Sequence, residues 1–416
     1  MNIAIVGGGA AGIMCAASLL ESDREDLHID LFEKNKTLGV KVAISGGGRC
    51  NVTTGIFDPQ LLVPKYIRGG KFLLAAMQAF PPDKVMSWYE SHGVPLKVED
   101  DNRVFPVSDV GQDVVDVFVK LFADPRIAVH FMEGITDISP VDHKFHLKTA
   151  KAEYDAEAVV LTTGGNAYRH TGSTGDGYAF AKVFNHTLTP LGPSLNSFEV
   201  ADEWCKELSG ISFQDAKMEV VLSDGEKRSI IGPALFTHFG VSGPAIFAMA
   251  AHIAFETISP KQPLVFNFTP IRSVSAEMWE AKIMKAVTAH PTKLVINVMA
   301  SFLPTRFAEK IMLLAHVPMS RKGAELNKLE RKSLVNLLSG GLTVTLTARR
   351  PGDEFVTAGG VNLTEVDRKT MRSRLNPNLY FAGEILDIDG LTGGFNLQAA
   401  WATGRSAAKG ILQTLA

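Results

Sequence analysis

The sequence predicts an α/β fold: a Rossmann-like nucleotide-binding domain made from both ends of the chain, with a second region inserted between them. Three observations predict it. Ile3–Val6 runs straight into Gly7-x-Gly9-x-x-Gly12, followed by a small-residue helix, a second apolar run Ile29–Phe32 and Glu33. At Pro190-Leu-Gly-Pro193 the pattern changes to the alternation of antiparallel strands. A strand, a glycine turn and a long helix then return over 378–415.

Each part of the first block answers a need of an ADP-containing cofactor. Gly7 allows the tight turn out of the strand, Gly9 lets backbone approach a pyrophosphate, and Gly12 lets the helix pack closely on the sheet. The helix N-terminus offers free N–H groups and partial positive charge to the phosphates. Gly7, Gly9, Ala11 and Gly12 are therefore expected phosphate-loop contacts. Glu33 stands about 20 residues beyond Gly12, where an acid accepts hydrogen bonds from ribose hydroxyls. The same acid disfavours a 2′-phosphate, which leaves FAD or NAD. Glycines that only save space would explain the turn but not the acid at that distance.

The remaining elements follow in order. Ile44–Asn51 is a second glycine-rich loop. The stretch 72–92 has buried-type residues Phe72, Leu73, Ala76, Phe80, Val85 and Trp88 at helical spacing, and Pro81-Pro82 splits it into two helices. Short strands surround Arg103-Val-Phe-Pro106, and Asp109–Phe122 is a helix. Ile127–Phe131 and Lys144–Thr149 are strands, and Ala156–Thr162 reads as one buried strand ending at Gly164-Gly165. A helix covers about 178–185. In the insert, Lys217–Leu222, Lys227–Ile231 and Pro263–Phe268 are strands, and 275–338 is helical with breaks at Pro291, Pro304 and Pro318. Asn378–Ala382 is a strand, and a helix runs from about Asn396 to Leu415. The expected domains are 1–190 with 345–416 for the cofactor, 191–274 as a β-rich subdomain and 275–344 as a helical one. The cleft between cofactor domain and insert is the expected substrate site.

Composition narrows the function. The chain has 416 residues, 46% hydrophobic and 21% charged, enough for a sizeable core in two or three domains. A net charge of −2 argues against a nucleic-acid partner. No apolar run reaches a membrane span of about 20 residues. The cofactor strand begins at Asn2, which leaves no room for a signal peptide, so a soluble cytoplasmic protein is expected. Cys15, Cys50 and Cys205 lack CxxC spacing, and the histidines form no ligand pair, so no metal is expected.

The rest of the chain selects the cofactor. A reductase with a separate NAD(P)H domain would carry a second strand–GxGxxG–helix unit. After Ala156–Thr162 the text is Thr163-Gly164-Gly165-Asn166, which fails that pattern. The C-terminal strand ends in Gly383-Glu384, and Gly393-Gly394-Phe395-Asn396 opens a small-residue helix. A helix N-terminus there would stabilise negative charge on a flavin pyrimidine ring, which favours FAD.

Six blocks of text resemble the HI0933-like flavoproteins from end to end. They are Ile44–Thr53 (ISGGGRCNVT), Arg103–Pro106, Thr171–Tyr178 (TGSTGDGY), Phe236–Pro244 (FTHFGVSGP), Thr357–Val361 (TAGGV) and Gly383–Gln398. The resemblance implies an FAD domain of the glutathione-reductase type with two inserted subdomains, one mostly β and one helical. It implies no common substrate, since members have been linked to aminoacetone oxidation and to bile-acid conversion. It also implies that the backbone of Ile135 meets the adenine edge.

Further cofactor contacts are expected at Ser45, Gly46, Gly47, Arg49, Cys50 and Asn51, where successive glycines free backbone N–H groups and Arg49 can meet a phosphate. Lys34 and Lys41 flank this region, as phosphate contacts or solvated lysines. Thr163 and Gly164 sit where open α/β sheets bind ligands. Gly383, Glu384, Gly394, Phe395, Asn396 and Leu397 would hold the flavin half. Asp387 and Asp389 face substrate or cap a turn. Cys50 lacks a partner thiol for a disulfide relay and reads as a small buried side chain. His238 is the candidate acid–base group, against the plainer reading of a satisfied core histidine.

The expected activity is FAD-dependent oxidoreduction, with hydride passing between a small organic substrate and flavin N5. Oxygen or another acceptor, or NAD(P)H, would complete the cycle. A flavin-bound regulatory or scaffold protein is the alternative, and an RNA-modifying flavoprotein is disfavoured by the near-neutral charge.

Overall fold

A computed structural model describes every residue except 143, 353, 415 and 416. It contains two compact units, 1–194 with 354–416, and 195–353.

In the first unit the expected βαβ start is present: β1 (Asn2–Val6), α1 (Ala10–Leu20) and β2 (His28–Glu33). With β3 (Ile127–Phe131), β4 (Ala158–Leu161) and β5 (Leu379–Phe381) they form a parallel sheet in the order β5-β4-β1-β2-β3. Covered on both faces, its central strands read as apolar runs rather than alternations, and β4 is buried throughout. The C-terminal helix α2 (Phe395–Thr414) covers α1. Gly404 sets that spacing, because a Cβ there would stand 2.3 Å from the Ala11 carbonyl oxygen. Trp401 anchors the other side of α2. It is fully buried, stacks on Phe118 and donates from Nε1 to the Val52 carbonyl at 2.9 Å. Apolar burial of one such side chain contributes about 2–3 kcal/mol.

Two expectations here need correction. The run 156–162 is not one strand. Glu153–Ala156 ends a three-stranded antiparallel meander with Ile135–Val141 and Lys144–Thr149, while β4 joins the parallel sheet. Glu157 makes the change of sheet: its N–H donates to the Asn2 carbonyl at 2.8 Å, and its carboxylate accepts from the Asn2 N–H at 2.9 Å. The closing helix starts at Phe395, one residue earlier than expected, and the expected end at Leu415 lies outside the described residues.

The second unit is built on a closed antiparallel barrel. Its strands, in order round the barrel, are Phe198–Val200, Gly240–Ser242, Lys227–Phe236, Ser212–Val221, Leu264–Thr269 and Leu342–Arg349. The last strand pairs with both Leu264–Thr269 and Phe198–Val200 and so closes the ring. The chain therefore returns to the first unit at 354 rather than at the expected 345. Helices Ala276–Ala289, Val295–Met299, Thr305–Leu314 and Lys328–Asn336 share one hydrophobic core with the barrel, where Phe307 meets Phe213 at 4.7 Å. Ser275 caps the first of these helices at the Met278 N–H, and Asn327 with Glu330 forms a capping box at the last. Among the described residues no helix is long and apolar enough to cross a membrane.

The α1–α2 contact gives a direct test. Gly404→Val places two methyl groups against the α1 backbone, and overpacking of that kind costs about 3 kcal/mol. We expect the denaturant midpoint of the first unit to fall accordingly, followed by urea titration of far-UV circular dichroism.

Candidate cofactor site

The C-terminal ends of β1, β2, β4 and β5 carry the candidate site, and the three fingerprint glycines divide the work there. Gly7 has φ +112°, its N–H donates to the Phe32 carbonyl at 2.9 Å, and a Cβ would stand 2.6 Å from the Thr162 carbonyl oxygen. A Cβ on Gly12 would stand 2.0 Å from the Gly7 oxygen. Both glycines are thus required by the protein's own packing. Gly9 differs: a Cβ there meets no atom within 4 Å. The open space at Gly9 is where a ligand can approach backbone. Gly9 is also the N-cap of α1 and supplies no capping side chain, so the first-turn amides are left for an external acceptor.

Glu33 is buried at the end of β2. Its two carboxylate oxygens accept from the Gly8 N–H at 2.9 Å and the Asn35 N–H at 2.8 Å. Burial nevertheless pushes its pKa above the usual carboxylate value. Each oxygen keeps a lone pair for a ribose hydroxyl.

The second loop, Ser45–Asn51, is strongly turned. Gly46, Gly47 and Gly48 have φ of 58°, 73° and 88°, and Cβ atoms on Gly47 and Gly48 would meet nothing within 4 Å. Ser45 Oγ donates to the Val42 carbonyl, and Asn51 Oδ1 accepts from the Val104 N–H. Arg49 is already neutralised: it pairs with Glu99 at 2.7 Å and Asp109 at 3.4 Å and lies 3.8 Å over the Phe105 ring. Cys50 is buried with φ 59°, and burial pushes its thiol up to about 12, so it stays protonated at neutral pH. Cys15, Cys50 and Cys205 are all free thiols.

The two lysines pin loops together. Lys34 holds Asp176 at 2.8 Å and Thr174 at 2.5 Å. Lys41 holds Glu384 at 2.7 Å, and the other Glu384 oxygen accepts from the Thr357 N–H at 2.8 Å. Ile135 is buried at the start of its meander strand. Gly164 and Gly383 both have positive φ, and a Cβ on Gly383 would stand 2.8 Å from that of Ala11. Gly383 donates to Thr403 Oγ1 at 2.9 Å.

The turn before α2 is held from several sides. Gly394 has φ +84°, and a Cβ would stand 2.1 Å from the Thr53 carbonyl oxygen. Tyr66 donates to the Phe395 carbonyl at 2.7 Å. The Asn396 side chain bonds the N–H and carbonyl of Gly390, each at 2.9 Å. The first-turn amides, including that of Leu397, have no intrahelical acceptor. Asp389, fully buried, pairs with Arg68 through both oxygens at 2.5 Å and accepts from Ser194 at 2.7 Å, which makes it a structural carboxylate. Asp387 differs: its Oδ1 is buried without a hydrogen-bond partner, and burial raises its pKa.

Thr163 Oγ1 and the Tyr178 hydroxyl are likewise buried without a hydrogen-bond partner. Burial, with the carboxylates of Glu384 and Asp387 nearby, pushes the Tyr178 phenol well up. Sequence reasoning did not single out Tyr178, although it closes the Thr171–Tyr178 block. His238 is exposed on a turn of the second unit, edge-on to Phe239 at 5.1 Å between ring centres. It is not the satisfied core histidine of the plainer reading. Among the described residues no three His, Cys, Asp or Glu side chains could hold a metal.

These features fit FAD. Open backbone at Gly9 and at Gly47–Gly48, an acid with spare lone pairs on β2, and unpartnered polar atoms beside Glu384 are what a dinucleotide would satisfy. A family model described as HI0933-like protein Rossmann domain matches residues 1–410. The 3-dehydro-bile acid delta(4,6)-reductase of Clostridium scindens is 28% identical over 408 residues, 97% of each chain. The ribosomal RNA dihydrouridine synthase of Escherichia coli is 26% identical over 98% of this chain and 97% of its own. Among solved structures, E. coli quinol fumarate reductase superposes with a TM-score of 0.50 at 16% identity, over 98% of this chain and 69% of that one, a likeness of fold.

Gly9→Val and Gly12→Val should separate the two glycine roles. The first should keep a wild-type far-UV spectrum yet purify without flavin absorbance, while the second should lose folded protein. Glu33 sets a pH dependence. Ribose donors favour its ionised form, so FAD affinity should be full above its raised apo pKa and fall by up to tenfold per pH unit below it. Glu33→Gln, which turns an N–H donor toward a backbone N–H, should bind FAD weakly with a flat pH profile in fluorescence titration.

Proposed function

Because the chain belongs to the HI0933-like family, we propose that this FAD-dependent oxidoreductase works as a reductase of an electron-poor C=C bond conjugated to a carbonyl group. FAD, when bound, supplies a hydride acceptor and donor at N5. The observation that carries the oxidoreductase reading is a dinucleotide cradle, on α1 and Glu33, in the same unit as the N-terminus of α2, which follows directly on Gly394. The α1 amides bind the pyrophosphate and Glu33 orients the adenosine ribose. The N-terminus of α2 opposes negative charge on the pyrimidine side of the flavin.

The names of the relatives support the reaction class. A delta(4,6)-reductase saturates a dienone, and formation of dihydrouridine saturates a C=C bond conjugated to a carbonyl. Both need hydride at one carbon and a proton at the other. Tyr178 and Asp387, whose pKa values burial raises and which each keep one buried oxygen without a hydrogen-bond partner, are the first-unit groups suited to supply that proton.

Two substrate readings follow: a small conjugated ketone, or uridine in ribosomal RNA. A net charge of −2 does not decide between them, since RNA contact depends on a local patch rather than on the sum. The deciding experiment is anaerobic. Flavin is first reduced with NADH or NADPH, then mixed with a steroid dienone or with unmodified ribosomal RNA. Reoxidation by one and not the other, with the saturated product found by mass spectrometry, assigns the class. Flavin that no donor reduces would favour a regulatory or scaffold protein instead.

A further inference from the structure

A cavity of about 600 Å³ opens on the first unit away from the dinucleotide cradle. It lies between the loop 367–377, which leads into the N-terminal end of β5, and the last turns of α2. The cofactor cradle gathers at the opposite, C-terminal ends of the strands. Along α2, at 1.5 Å per residue, Lys409 stands about 20 Å from Phe395. The two places therefore do not share a ligand of ordinary size.

The lining is unusual for a chain of net charge −2. It brings together Lys369, Arg372, Arg374 and Lys409 against one carboxylate, Asp367. That carboxylate is already occupied. It accepts from the N–H groups of Lys369 and Thr370 and from the Thr370 hydroxyl, and its pKa is lowered. Arg374 lies 3.8 Å from it and donates to the Val366 carbonyl. Among the described residues Lys369, Arg372 and Lys409 have no acidic partner within ion-pair distance. Lys409 near the end of α2 also complements the helix dipole, but a dipole does not call for the other three cations.

The loop is built to hold this arrangement. The Asp367 N–H donates to the Arg372 carbonyl at 2.8 Å and the Met371 N–H to the Asp367 carbonyl at 2.8 Å, with Met371 buried at φ 59°. Ser373 Oγ accepts from the N–H groups of Leu375 and Asn376 and meets buried His186 at 2.8 Å. A loop tied at this many points keeps its cations close without collapse, which pre-organises them for an anion.

We propose that this cavity is a second ligand site, which binds a small oligophosphate. Planar guanidinium groups match phosphate oxygens two at a time, and lysines add point charge. Four cations suit a ligand with two or more negative charges. The lining holds no aromatic side chain to stack on a base, so recognition rests on the phosphates. The volume falls in the range of small-molecule sites. The proposal is independent of the flavin reaction and of its substrate.

The test uses flavin-loaded protein and inorganic pyrophosphate in isothermal titration calorimetry, with ADP and a short single-stranded RNA as parallel arms. We expect saturable one-to-one binding of pyrophosphate, weakened at least tenfold by 300 mM salt, with ADP competing. Arg372→Ala and Lys409→Ala should each weaken it at least tenfold and leave the flavin absorbance and its reduction by dithionite unchanged. Charge-retaining Lys409→Arg should keep binding. The proposal is overturned if pyrophosphate does not bind wild-type protein, if the alanine variants bind it as wild type does, or if only RNA binds.

Discussion

Everything at the cofactor end of the first unit depends on how closely backbone can approach backbone around Ala11. Gly12 sits against the Gly7 carbonyl, Gly383 against Ala11 Cβ, and Gly404 against the Ala11 carbonyl. Three glycines from distant parts of the sequence thereby converge on the first turn of α1. A methyl group at any of them would drive apart the fingerprint turn, the end of β5 and the middle of α2. With the contact in place, the first turn of α1 and the glycine turn before α2 belong to one rigid cradle. An ADP-containing cofactor can then be held at both its phosphate and its flavin ends.

The charged residues around this cradle act mainly by tying loops together. Lys34 joins the end of β2 to the 174–176 loop, and Lys41, in the short helix just before the second glycine loop, pairs with Glu384. Arg49, whose sequence context suggests a phosphate ligand, spends its charge on Glu99 and Asp109 over an aromatic face. Partly buried pairs of this kind contribute modest stability, yet they fix where backbone N–H groups point. The cradle therefore presents amides and helix termini, rather than free cations, toward the cofactor. An anion that needs full ionic neutralisation is matched by the separate basic cavity below the sheet.

Much of this was legible in the sequence because the signals are local. The strand–glycine–helix–strand–acid order of 3–33 and the helix break at Pro81-Pro82 appear almost where they were expected. What was not legible depends on pairing between distant residues. Closure of the barrel by Leu342–Arg349 rests on hydrogen bonds to strands more than a hundred residues away in one case, and alternation alone does not reveal it. The change of sheet at Glu157 depends on Asn2. Asp387 and Asp389 look alike in sequence and were not separable there. Only Arg68 and Ser194 make Asp389 structural, while Asp387 keeps a buried oxygen without a partner. The Tyr178 hydroxyl is not legible for a related reason, since nothing in a helix-start tyrosine announces an unsatisfied hydroxyl.

The most direct measurement is a crystal structure of the flavin-loaded protein. We expect the pyrophosphate within hydrogen-bond distance of the first-turn amides of α1 beside Gly9, the adenosine ribose on Glu33, and the flavin pyrimidine edge at the Gly394–Leu397 turn. A pyrophosphate bound away from Gly9, or a flavin ring that leaves the N-terminus of α2 uncovered, would contradict the single-cradle arrangement.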